Sequence, residues 1–176
     1  MKRERAVLSG YTGLAVTVIL AVIFQNSYYW MGEFHPAGLL FAVNSSVWEQ
    51  VKCMLLSFYL WSVPALFWGK SNLRRFVTAR VGGSLVTAVT AIILFFTVQG
   101  VLGFRSGIIT GLIVSISLAA GAYCSYRIEC YAINAEEAFL PALLAGILLM
   151  IAVLCLTALP PHIGLFYDDM GFYGFR

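Results

Sequence analysis

Long apolar runs broken by short polar segments dominate the chain. Five runs are long enough to cross a bilayer, which takes about 20 helical residues. The predicted helices cover about residues 7–25, 47–68, 76–99, 107–126 and 138–159. A shorter apolar run, residues 37–43, follows Pro36, which suits the first position of a helix. The pattern predicts an all-α, polytopic membrane protein with five transmembrane helices and a short interfacial or re-entrant helix between the first two.

Composition supports the same class. The chain is 61% apolar and 11% charged, whereas soluble domains carry about 25% charged residues. The net charge of +3 is spread over short loops, so we expect a lipid bilayer as partner and no nucleic acid. A length of 176 residues predicts one integral membrane domain, residues 1–176. A signal peptide is the alternative for the first run, but no small-residue cleavage site precedes a soluble domain.

The cysteines and short motifs do not identify a reaction. Cys53, Cys124, Cys130 and Cys155 have neither metal-site nor redox-motif spacing, and we expect them to act as small apolar residues. We predict no metal site. The sequence leaves any cofactor and any catalytic residue unknown, since it contains no phosphate-binding loop or hydrolase signature.

The distribution of basic residues predicts the orientation. With five crossings, the N-terminus shares one side with the loops after the second and fourth helices. That side carries Lys2, Arg3, Arg5, Lys70, Arg74, Arg75 and Arg127, while the other carries Lys52, Arg105 and Arg176. The positive-inside rule then predicts a multi-pass protein of the cell membrane, with a cytoplasmic N-terminus and an extracytoplasmic C-terminus.

The densest polar chemistry lies in residues 35–52, between the first two long runs. Ser46 and Glu49 have capping-box spacing, in which each side chain bonds the other residue's backbone amide. Trp48, Glu49 and Lys52 share one helix face. One interpretation is a capped helix start with Trp48 as an interfacial anchor. The other is that this face lines a ligand pocket.

The aromatic and acidic tail, residues 160–176, should pack on the outer face, on the same side as residues 35–52. A site at this meeting point would use Trp48 and Tyr173 as walls. The full predicted ligand-binding set is His35, Asn44, Trp48, Glu49, Lys52, Asp168, Asp169 and Tyr173.

Small residues recur on the third and fourth helices. Their spacing is typical of close helix packing in lipid. The stripe comprises Gly83, Ser84, Ala88, Gly107, Gly111, Ser115 and Ala119. We expect these faces to dock a second copy or a partner membrane protein.

The polar block resembles a motif of an uncharacterised family of small bacterial membrane proteins, domain of unknown function 6512. That motif reads Asn-Glu-Ser-Val-Trp-Glu-His-Leu-Lys. The chain matches it at Asn44, Ser46, Val47, Trp48, Glu49 and Lys52. It departs at Ser45, where the family has Glu, at Gln50, where it has His, and at Val51, where it has Leu. Residues 171–174 also fit the Gly-x-Tyr-Gly tail of the family. The resemblance implies a site but no activity, and the two lost polar residues weaken a metal-site or catalytic interpretation.

Three functions remain open from the sequence. The first is binding or transport of a small molecule at an outward-facing site. The second is a structural or regulatory membrane protein without a ligand. The third is an enzyme acting on a lipid-linked substrate, with Glu49 or His35 as general base and Asp168 or Asp169 as its partner. A cavity beside Glu49 would favour the first or the third, and a Glu49 paired only within the chain would favour the second.

Overall fold

A computed structural model describes residues 2–69, 72–104, 106–168 and 171, with the backbone alone for residues 2–11, 68 and 69. The elements are α1 (Lys2–Trp30), a 3₁₀ helix (His35–Leu39), α2 (Val47–Gly69), α3 (Leu73–Leu102), α4 (Gly107–Tyr131) and α5 (Phe139–Ala158). All five α-helices are long and apolar enough to cross a membrane. The all-α, five-helix polytopic fold predicted from the apolar runs is therefore confirmed.

Several helices extend beyond the predicted boundaries. α1 continues through the aromatic cluster to Trp30, and α4 continues to Tyr131. Hydropathy falls at the end of an apolar run, but backbone hydrogen bonding continues until a cap or a turn stops it. α3 has a side-chain cap at its start and a glycine turn at its end. Asn72 accepts from Arg74 N at 3.1 Å at its start, and Gly103 ends it with a left-handed φ of 69°.

Successive helices alternate in direction, so the 3₁₀ helix lies at one end of the bundle. We call this the upper end; it holds the start of α2, the start of α4 and the end of α1. The lower end holds the starts of α3 and α5. α2 is the central helix, with 56% of its apolar span buried, compared with 11% for α5. The start of α2 therefore lies among other elements, whereas most of α5 faces outward.

The backbones of α3 and α4 approach each other closely where the two helices cross. A Cβ atom built on Gly83 would lie 2.6 Å from Gly121 O, so these positions need glycine. Ser84 and Ala88 are also buried. Part of the small-residue stripe therefore packs within the chain, whereas Gly107 and Gly111 on α4 are exposed. Docking of a partner through these faces stays a prediction.

Arg75 closes the lower end of the same helix pair. Its Nε donates to Glu129 O at 2.7 Å and its Nη2 to Ala132 O at 2.6 Å. These carbonyls belong to the end of α4, where a helix leaves acceptors unpaired and a cation is favoured.

We expect Arg75→Met to lower the free energy of unfolding by about 1–2 kcal/mol, because two charge-assisted hydrogen bonds are lost. Denaturant titration in detergent measures this change. Arg74→Met is the matched control, since Arg74 is exposed and its guanidinium lies 6.0 Å from the ring of Phe139. Equal losses for the two variants would contradict the capping role.

Candidate functional site

A buried ion pair occupies the first turns of α2. Lys52 Nζ lies 2.7 Å from Glu49 Oε2, and the two side chains are 0% and 7% exposed. Glu49 Oε2 also accepts from Val43 N at 2.9 Å, and Lys52 Nζ donates to Gly38 O at 2.8 Å. The pair therefore ties the 3₁₀ helix and the segment after it to α2. Each charge has a backbone partner as well as its counter-ion, which buried charges require.

The cap of α2 differs in part from the predicted capping box. Ser46 Oγ accepts from Glu49 N at 3.4 Å, as predicted. The reciprocal bond was predicted wrongly, because Ser46 N donates to Asn44 Oδ1 at 3.0 Å. The Glu49 carboxylate instead pairs with Lys52 and accepts a hydrogen bond from Val43 N. Asn44 takes over the capping role by bonding an amide two residues ahead, as asparagine does in turns.

Trp48 connects the start of α2 to the tail. Its side chain is 8% exposed, and its Nε1 donates to Thr157 Oγ1 at 3.3 Å. The ring centroid lies 5.3 Å from that of Phe166, and Trp48 N donates to Leu165 O at 3.1 Å. The interfacial-anchor interpretation of Trp48 is therefore wrong, since the ring is an internal contact. The described part of the tail packs on α2.

The predicted site residues divide into three groups. Asn44, Trp48, Glu49 and Lys52 gather at the start of α2. His35 is exposed, with Nδ1 3.3 Å from Glu33 O. Asp168 is half-buried, and its carbonyl accepts from Gly171 N at 3.1 Å. Asp169 and Tyr173 lie outside the described residues.

The space beside Glu49 is too small for a ligand. It measures about 10 Å³ and is bordered by Asn44, Ser46, Thr157 and Phe166. That is room for about one water molecule. Within the described ranges, no group of three or more His, Cys, Asp or Glu residues could hold a metal ion. The carboxylate of Glu49 thus has the surroundings of an internal structural contact.

A larger cavity lies on another side of the same turn, between α1 and the start of α4. Its volume is about 650 Å³, which is within the usual range for small-molecule sites, about 300–1,000 Å³. We call it the α1/α4 cleft. Its polar lining comprises Gln25, Ser45, Gln50, Ser106, Thr110 and Ser115, and its apolar lining comprises Val18, Val22, Phe95, Ile108, Leu112 and Val114. Gly107 and Gly111 complete it.

Two residues that border the α1/α4 cleft each have one buried amide atom without a hydrogen-bond partner in the described part of the chain. Counting partners among the described residues, none reaches Gln25 Nε2 and none reaches Gln50 Oε1. Gln50 is only 7% exposed. An unsatisfied buried polar group costs about 1–3 kcal/mol, so native structures rarely retain one without a water, ion or ligand to bond it. Gln25 and Gln50 border the cleft, but protein covers the two unpartnered atoms themselves. Each side-chain amide must turn to present its atom to the cleft.

Sequence reasoning assigned none of the cleft residues to a ligand site, although Gly107, Gly111 and Ser115 were named as part of the small-residue stripe. Glu49 and Gln50 are neighbours in the chain, but successive helical residues point about 100° apart. Glu49 consequently faces Val43, in the segment after the 3₁₀ helix, while Gln50 faces α1 and α4. Ser45 and Gln50 are two of the three departures from the motif that the polar block resembles. A usable signal was Gln25, a polar residue in the last two turns of an apolar helix.

Five helices that are each long and apolar enough to cross a membrane give the chain the architecture of a multi-pass helical membrane protein. Within that class, the chain belongs to the family of unknown function DUF6512, whose model matches residues 4–175. This match confirms the resemblance found in the polar block. Neither a curated protein nor a solved structure matches the chain.

Proposed function

We propose that the protein binds a small molecule in the α1/α4 cleft, and that the upper end of the bundle faces outside the cell. The observation that carries the proposal is a cavity of about 650 Å³ bordered by Gln25 and Gln50. Each has one buried amide atom, Gln25 Nε2 and Gln50 Oε1, that finds no partner among the described residues. Protein covers both atoms, so the two side-chain amides must turn toward the cleft to meet a ligand. Bonds to the ligand then remove the cost of burying these atoms unpaired.

The lining determines the chemistry of the ligand. Gln25 Nε2 requires an acceptor on the ligand, and Gln50 Oε1 requires a donor. As far as the described residues define it, the lining contains no charged side chain. The bonded part of the ligand is therefore polar and uncharged, and its remainder contacts apolar walls such as Val22 and Leu112. Binding is what the cleft supports; transport requires a second state that opens at the lower end.

The orientation rests on the positive-inside rule. Arg74, Arg75 and Arg127 lie near the lower end, at the start of α3 and close to the end of α4. At the upper end, Lys52 is already neutralised by Glu49 at 2.7 Å, which leaves less unpaired positive charge there. Loops rich in arginine and lysine favour the cytoplasm. The upper end, with the cleft, is then extracytoplasmic.

Native mass spectrometry of the gently purified protein tests the binding proposal. We expect a small-molecule adduct on the wild type that falls about tenfold in Gln50→Leu, because the ligand loses a buried hydrogen bond. Gln50→Leu should fold, since it removes a group whose Oε1 is unsatisfied. Gln99→Leu is the matched control, because Gln99 does not border the cleft. An adduct that is absent from the wild type, or equal in all three proteins, would reject the proposal.

A structural or regulatory protein without a ligand is the second candidate function. It is favoured by the Glu49–Lys52 pair, which is satisfied by Val43 N and Gly38 O. The space of about 10 Å³ beside Glu49 agrees with it. This candidate predicts a clean apo mass for the wild type and for Gln50→Leu.

A further inference from the structure

We propose that the occupant of the α1/α4 cleft is a membrane lipid with an uncharged polyol head, of the glycosyl-diacylglycerol type, that enters sideways from the upper leaflet. This inference rests on the proposed function and specifies its ligand class. A lipid fits better than a free sugar because the cleft opens onto the apolar surface of the bundle and because its lining becomes more apolar with depth.

The cleft opens onto the apolar surface of the bundle. Val22 and Leu112 border it and are 48% and 58% exposed. They belong to helices that are long and apolar enough to cross a membrane, so this surface faces acyl chains. A molecule already dissolved in the bilayer can therefore reach the cleft without passing through the aqueous phase.

Polarity changes along the depth of the cleft. Gln25, Gln50 and Ser106 lie at its upper end, near the last turns of α1 and the first turns of α2 and α4. Val18, seven residues before Gln25, lies about 10 Å deeper at the rise of an α-helix. Val114 is on the deeper part of α4 in the same way. Two lining residues depart from this order: Ile108 at the upper end, and Ser115 beside Val114, whose Oγ donates to Gly111 O at 2.8 Å. A cleft that is mostly polar above and apolar below matches the orientation of a lipid in the upper leaflet.

The polar end of the cleft suits hydroxyl groups. A hydroxyl can accept from Gln25 Nε2 and donate to Gln50 Oε1, which are the two roles left open. The start of α4 also borders the cleft, at Gly107, although Ser106 Oγ already accepts from Ile109 N at 3.3 Å there. A phosphocholine head has no hydrogen-bond donor, so it leaves Gln50 Oε1 unpaired. A sugar or glycerol head supplies both a donor and an acceptor for the two side-chain amides.

The experiment uses the full-length protein in nanodiscs of phosphatidylcholine doped with monoglucosyl-diacylglycerol of the same acyl chains. Native mass spectrometry after release counts the lipids retained by each protein. We expect the wild type to retain the glucolipid about tenfold over its share of the bilayer, and Gln50→Leu to retain it only at that share. Gln99→Leu should behave as the wild type, and an excess of free glucose should not displace the glucolipid.

The other outcomes separate the two proposals. If the wild type retains both lipids in their bilayer ratio, the polyol inference is wrong, while a Gln50-dependent adduct on the purified protein leaves the binding proposal intact. If free glucose displaces the glucolipid, the head is recognised without the chains and the lipid assignment is wrong. If the wild type shows neither a retained lipid nor a purified adduct, both proposals are wrong.

Discussion

Lys52→Met should lower the free energy of unfolding by about 3–5 kcal/mol, the usual cost of removing one member of a buried ion pair. The variant leaves the carboxylate of Glu49, which is 7% exposed, with its bond from Val43 N but without a counter-ion. It also removes the donor to Gly38 O, which fastens the 3₁₀ helix to α2. Denaturant titration in detergent, followed by tryptophan fluorescence, measures the change.

A double variant separates the charge from the packing. Glu49→Gln with Lys52→Met removes both charges, so it should recover part of the loss, because the cost arises mainly from one uncompensated charge. Glu137→Gln is the surface control, since Glu137 is exposed. A loss below about 1 kcal/mol for Lys52→Met, the range of an exposed pair, would contradict the buried arrangement.

Gly121→Ala should cost about 3 kcal/mol of unfolding free energy, at the upper end of the usual range for overpacking. The new Cβ would clash with the hydroxyl of Thr87 and lie 2.6 Å from Gly83 O. Backbone cannot move aside as a flexible side chain can, so α3 and α4 must separate along the crossing. Thermal unfolding in detergent should show a lower midpoint.

Gly100→Ala is the control for the glycine substitution itself. Gly100 is also in a helix, and among the described residues nothing approaches its Cβ position within 4 Å. Its replacement should therefore be neutral or slightly stabilising. Equal unfolding midpoints for Gly121→Ala and Gly100→Ala would contradict the close contact between Gly121 and Gly83 O.

The number and class of the helices were predictable because a membrane-spanning helix needs a long apolar run, and that property is local to the sequence. The ends were not. The aromatic residues at 28–30 reduce hydropathy without ending the hydrogen-bonded backbone of α1. The shared face of Glu49 and Lys52 was also predictable from spacing. Their burial was not predictable, since it depends on the 3₁₀ helix, whose Gly38 O lies against Lys52 although it is outside α2.

The cleft depends on contacts between residues far apart in the sequence. Gln25 and Thr110 line it together, although 85 positions separate them in the chain. Local pattern gives the helical face of each residue but not the neighbour that covers it. The same applies to Trp48, whose partners Thr157 and Phe166 belong to α5 and the tail. The motif therefore marked the turn of α2 that borders the cleft, while the side that faces the cleft emerged only from the packing.

Glu49 and Gln50 provide the most direct test, because adjacent residues are assigned opposite roles. The measurement is the fraction of folded protein that carries an adduct by native mass spectrometry, for Glu49→Gln and Gln50→Leu beside the wild type. We predict that Glu49→Gln is less stable but keeps the adduct, and that Gln50→Leu is as stable as the wild type but loses it. Loss of the adduct in folded Glu49→Gln with retention in Gln50→Leu would place the ligand at the ion pair and contradict the cleft.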